Sequence, residues 1–146
     1  MRFETLMKNL AAAVVLLALA RPALSEPTAM KIRMTIEGNA IHATLHDNAA
    51  ARELASMLPL TLPLEDYAAT EKIAYLPRKL TAGAPARSDA GSLGEIAYYA
   101  PWGNLAIFYK DFKYSPGLIS LGRIDSGMEI LTARRGARVT IERADR

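Results

Sequence analysis

Polar and apolar residues alternate through "KIRMTI" at 31–36, which predicts a half-buried strand with Ile32, Met34 and Ile36 turned inward. "GN" at 38–39 predicts a two-residue hairpin turn, because glycine adopts positive φ freely, and "AIHATL" at 40–45 returns as a second strand. The period then changes. In "AAARELASML" at 49–58, Leu54, Met57 and Leu58 recur at helical spacing. Asp47 or Asn48 can supply the N-cap, and Pro59 follows the helix end. A short helix closing one end of a sheet structure is expected.

Downstream, "LTLPLEDY" at 60–67 places Leu60, Leu62 and Leu64 at period two, but Pro63 argues against a central strand. "EKIAYLP" predicts a further strand ended by Pro77. "KLTAGAPARSDAGS" at 79–92 predicts a long loop of the kind that often carries function. "GEIAYYAPWGNLAIFYKDF" at 94–112 predicts a hairpin, with later strands in "GLISLGRI" and "ARVTIE". Strands outnumber helices and short turns join them, so the fold is a barrel or a sandwich.

Before this domain, Arg2 and Lys8 precede an apolar run at 10–20, and Ala23-Leu24-Ser25 supplies small residues at a cleavage position. Such a run rises only about 16 Å as a helix, against a hydrocarbon core of roughly 30 Å. The segment 1–25 reads as a secretory signal, leaving 26–146 as one domain in the periplasm or outside the cell, with no membrane anchor after cleavage. The competing readings are a retained apolar helix or a true start at Met30.

Composition narrows the chemistry. The absence of cysteine excludes disulfides, thiolate catalysis and Cys-ligated zinc. The formal charge of +3 owes much to Arg134, Arg135, Arg138, Arg143 and Arg146 near the C-terminus. The preceding body is close to balanced, and no nucleic-acid partner is expected. No nucleotide-binding glycine pattern occurs and no cofactor is implied. His42 and His46 are the only histidines, too few for a catalytic zinc site, and read as surface residues near a helix start. "AGSLG" at 90–94 nearly matches a nucleophile elbow, but Ser92 follows a loop rather than a strand. Glu65 and Asp66 would point to opposite faces of a strand and so do not pair as acid and base.

One feature is concentrated. The hairpin at 94–112 holds Tyr98, Tyr99, Trp102, Phe108, Tyr109 and Phe112, more than half of the aromatic residues and the only tryptophan. Alternation sends Tyr98 or Tyr99 outward, but not both. Trp102 sits in a turn, where a large ring must cover a barrel end or meet a ligand.

This hairpin, followed by "SPGLISLGRIDSGMEIL", resembles the bacterial cyclophilin-like domain family. Matching features are a Gly-acid-Ile-x-Tyr-Tyr/Trp-x-Pro hairpin, a Leu-Ala-Ile-Phe-Tyr return strand and a Leu-Gly-x-Ile turn, and the likeness covers about 30–142. It implies a mainly β fold, a closed antiparallel cyclophilin-like barrel of about eight strands with one or two short helices. True cyclophilins isomerise X-Pro bonds with an arginine in a Phe-His-Arg motif, which is absent here. The expectation is therefore a binding module, a monomer or weak oligomer. Tyr98, Tyr99, Trp102 and Phe108 would line a groove for a proline-containing peptide or small molecule. The alternative is a peptidyl-prolyl isomerase acting on exported proteins, with Arg78 or Arg87 stabilising the twisting amide. A purely structural or assembly role is the third possibility. Metal is expected in none of these.

Overall fold

The computed structural model describes residues 29–82, 91–113 and 115–144. The expected signal segment 1–25 and Arg87 lie outside the described residues. Strands β1 (Met30–Ile36) and β2 (Asn39–Leu45) form the first hairpin, with Ile32, Met34 and Ile36 buried. The turn comes one residue earlier than expected. Glu37 and Gly38 both take positive φ, 49° and 80°, as a primed two-residue turn requires, so Asn39 already belongs to β2.

Helix α1 (Ala49–Ser56) starts at Asn48, whose side-chain oxygen accepts the Ala51 N–H at 2.8 Å. The other half of the same amide donates to the Ser120 carbonyl at 2.9 Å, so the cap also fastens the helix to the sheet. Leu54, Ala50, Ala51 and Ala55 are buried. Met57 and Leu58 fall beyond the last helical turn and are only partly buried.

The chain continues through β3 (Leu60–Tyr67), β4 (Glu71–Tyr75), β5 (Glu95–Tyr99), β6 (Asn104–Phe108), β7 (Leu118–Ser126), α2 (Met128–Thr132) and β8 (Ala137–Arg143). Paired antiparallel in the order β1-β2-β7-β5-β6-β4-β3-β8, the strands close into an eight-stranded barrel. The protein is thus mainly β with two short helices. Ile32, Met34, Ile41, Leu105, Ile107 and Leu121 fill the interior.

Pro63 does not exclude β3 from the wall. At residues 60–64 β3 pairs with β8 alone, and it pairs with β4 only from Glu65 to Tyr67. Proline therefore lies where one side of the strand has no ladder to supply, the condition under which a strand tolerates it. In the "LGRI" segment, a Cβ on Gly122 would collide with the Thr44 carbonyl oxygen and approach Leu45 Cα at 2.9 Å. The β2–β7 approach requires glycine there.

Candidate functional site

The hairpin that stood out in the sequence has two faces with different roles. β5 and β6 pair with Ala97 opposite Ala106 and Tyr98 opposite Leu105. Ile96, Tyr98, Leu105 and Ile107 project into the barrel core. On the outer face Ala97, Ala106, Phe108 and Leu118 form a second apolar cluster, with Tyr99 packed against it.

A cleft of about 140 Å³ opens over this outer cluster. Its aromatic walls are Tyr67, Tyr99, Trp102, Phe108 and Phe112. Trp102 meets Tyr67 edge-on, with centroids 5.2 Å apart and planes at 88°, and meets Tyr99 at 5.4 Å and 78°. Phe108 and Phe112 are stacked at 6.1 Å. Tyr67, Trp102 and Phe112 are 42%, 45% and 44% exposed, a contiguous apolar surface rather than scattered rings.

The turn holding Trp102 is tightly built. The N–H groups of Trp102 and Gly103 both donate to the Tyr99 carbonyl, at 3.2 and 2.9 Å. Gly117, at φ 95°, lies so close to the turn that a Cβ would come within 2.8 Å of Pro101 Cδ. The tryptophan is therefore mounted on a braced turn.

Thr70, Glu71 and Ser115 are the polar contributors to the cleft. Glu71 begins β4 opposite Phe108 and Tyr67. It is half-buried, and desolvation raises its carboxyl above the ordinary glutamate value. No hydrogen-bond donor among the described residues compensates it. Lys72, the next residue, points to the opposite face and is fully engaged. Its ammonium donates to the carbonyls of Arg134 at 2.5 Å and Arg135 at 3.0 Å, and pairs with Asp66 at 2.8 Å.

The structure brings Tyr99, Trp102 and Phe108 together in this cleft. Tyr98 does not join them, which corrects the expectation for that residue. It is 2% exposed, and its hydroxyl accepts the Leu80 N–H at 3.1 Å. Strand alternation permits one outward tyrosine of the pair, and that one is Tyr99.

Arg78 also lies elsewhere. It donates to Glu53 on α1 at 2.6 Å, and Glu53 additionally accepts the N–H groups of Thr81 and Ala82. These bonds, led by that from Ala82, lower the Glu53 carboxyl to about 2. Among the described residues no arginine lines the cleft.

His46 is not a free surface residue. Its Nε2 is buried without a hydrogen bond, 3.6 Å from the fully buried carboxylate of Glu95. Glu95 also accepts from the Ser120 hydroxyl and from Arg123 at 3.2 Å. Ser120 makes no hydrogen bond to His46, so the nucleophile–base contact of acyl-transfer catalysis is missing. The group clamps β5, β7 and the start of the α1 segment together. Among the described residues no cluster of three or more His, Asp or Glu could hold a metal ion, and no helix is long and apolar enough to cross a membrane.

Tyr67, Glu71 and Phe112 were not singled out from the sequence. Phe112 lay within the aromatic stretch, but Tyr67 and Glu71 come from a different part of the chain.

Barrel topology and outer cleft define the class of protein: a closed β-barrel with a cyclophilin-like architecture. Residues 34–142 match the model of the Cyclophilin-like family, and the chain belongs to that family. A solution structure of a hypothetical protein from Archaeoglobus fulgidus is similar, with TM-score 0.59 and 18% identity over 82% of this chain and 98% of that one. With that neighbour archaeal, the fold is not confined to bacteria. No curated protein sequence matches the chain.

Proposed function

We propose that the protein is a binding module that takes up a peptide segment or small molecule in the outer cleft, through Tyr99, Trp102 and Phe108. One observation carries this reading. Tyr67, Trp102 and Phe112 stay more than two-fifths exposed around a single depression, with Tyr99 and the buried Phe108 completing its lining. Tyrosine and tryptophan rings, with an apolar body and one polar end, suit such a rim. Export to the periplasm or beyond, inferred from 1–25, would place the module among extracytoplasmic ligands.

Isomerase activity has less support. It needs a cationic donor beside an apolar pocket, and Arg78 is held by Glu53 away from the cleft lining. The test is a titration of the protein with proline-containing peptides and a small-molecule set, followed by the fluorescence of Trp102. Saturable changes that vanish in Tyr99→Ala support the binding reading; peptides and molecules that never perturb Trp102 contradict it. A proline-isomerisation assay run alongside, with Arg78→Ala and Arg87→Ala, is expected to give the buffer rate. Acceleration lost in either variant would replace this reading with the enzymatic one.

A further inference from the structure

The cleft carries an acid and no base. Among the described residues Glu71 is its only carboxylate, and no lysine, arginine or histidine side chain lines it. The nearest basic side chain in sequence, Lys72, is committed to Asp66 and two backbone carbonyls on the other face of β4. Arg78 is taken by Glu53, and Arg123 by Glu95 and the Leu93 carbonyl. Among the described residues no cation meets the Glu71 carboxylate.

The walls favour the same sign. Aromatic rings present a negative face, and a cation over that face is attracted, the more so when water is excluded. Trp102 stands nearly perpendicular to both Tyr67 and Tyr99, and all three rings line the cleft.

We propose that the cleft binds an organic cation with an apolar shell, of the tertiary or quaternary ammonium type, held between Tyr67, Tyr99 and Trp102 with Glu71 as counter-charge. This deepens the binding reading above and rests on it. Other occupants fit less well. An anion would meet Glu71. A divalent metal ion needs several oxygen ligands, and the described residues lining the cleft supply only one carboxylate. A neutral ring would fill the aromatic walls but leave the desolvated Glu71 carboxylate uncompensated. A strongly hydrated primary ammonium would find few acceptors beyond Glu71, Thr70 and Ser115. An alkylated ammonium loses little hydration and uses the rings fully. Burial raises the Glu71 carboxyl, and a cation seated beside it would offset that desolvation.

The experiment uses the full chain, with tetramethylammonium and choline as probes. Choline's neutral isostere, in which carbon replaces nitrogen, serves as the comparison at matched ionic strength. Binding is read by Trp102 fluorescence and by NMR shifts. Both cations are expected to saturate, and the neutral isostere to bind about tenfold more weakly. Glu71→Gln is expected to bring choline down to about the level of the isostere, and Trp102→Ala to abolish its NMR shifts at Tyr99. Unchanged thermal unfolding would show that both variants fold. If the isostere binds as tightly as choline, or Glu71→Gln binds choline as the parent does, the cation inference fails while the binding reading stands. If neither these probes nor proline-containing peptides perturb the cleft, both fail.

Discussion

Two pairs of sequence neighbours show how differently the two faces of one sheet are treated. Tyr98 and Lys72 point inward from β5 and β4, and each finds its partners: the Leu80 N–H for the first, Asp66 and two carbonyls for the second. Tyr99 and Glu71 point outward one residue away. Neither side chain makes a hydrogen bond among the described residues, and both line the cleft. A folded chain normally satisfies what it buries, because an unpaired polar group in a dry setting costs about 1–3 kcal/mol. Partnered side chains at Tyr98 and Lys72, set against unpartnered ones at Tyr99 and Glu71, separate the face of these strands that makes the core from the face proposed to meet a ligand.

The largest expected effects lie inside. Tyr98→Ala should cost about 3–5 kcal/mol, the range for removing a buried aromatic ring. Tyr99→Ala should cost about 1 kcal/mol or less, since most of the barrel core is untouched. Denaturant unfolding of the two variants measures both, and equal losses would break the contrast. Next comes Lys72→Met, expected to destabilise by about 2–3 kcal/mol, because a buried charged donor leaves Asp66 and two carbonyls behind. Its neighbour's variant, Glu71→Gln, should unfold no earlier than the parent.

A smaller effect appears with pH. Desolvation raises the Glu71 carboxyl in the folded protein above its unfolded value. Below the unfolded value the group is protonated in both states and costs nothing; as pH rises through the folded value, the ionised form is penalised. The parent should therefore lose stability relative to Glu71→Gln as pH rises through and above the ordinary glutamate range. Urea unfolding at several pH values tests this, and a parallel pair of curves would contradict it.

The smallest effect concerns Glu53, whose carboxyl is lowered to about 2 by the Ala82 N–H, Arg78 and Thr81. With a depressed value the contribution runs the other way. It is present above the ordinary carboxylate range and lost as pH falls toward 2. Amide exchange at Thr81 and Ala82 should accelerate over that acid window while the barrel strands stay protected.

The barrel was legible because its signals are local. Alternation in "KIRMTI" marked Ile32, Met34 and Ile36, and the change of period at Ala49 marked α1. Pro63 misled because its cost depends on which neighbour pairs at that residue, and local sequence does not carry that information. Tyr98 and Tyr99 could not be told apart because β5 and β6 are buried on both faces, which erases the period-two contrast. The cleft was less legible still. It assembles Tyr67 and Glu71 from the β3–β4 hairpin, Trp102 from the β5–β6 turn and Ser115 from the following loop, and no local pattern links them. Glu95 did leave a trace, as an acid opening an apolar strand, which implies a buried partner such as Arg123.

Under the proposed function, ligands meet the outer face of the β4–β6–β5 sheet and leave the inner face alone. Side-chain NMR during a choline titration tests it directly, since Tyr98 and Tyr99 report from opposite faces of one strand. Shifts at Tyr99, Trp102 and Phe108 with Tyr98 and Leu105 unmoved are the expected result. Shifts centred on Tyr98 and the 78–82 segment, with Tyr99 and Trp102 silent, would contradict it.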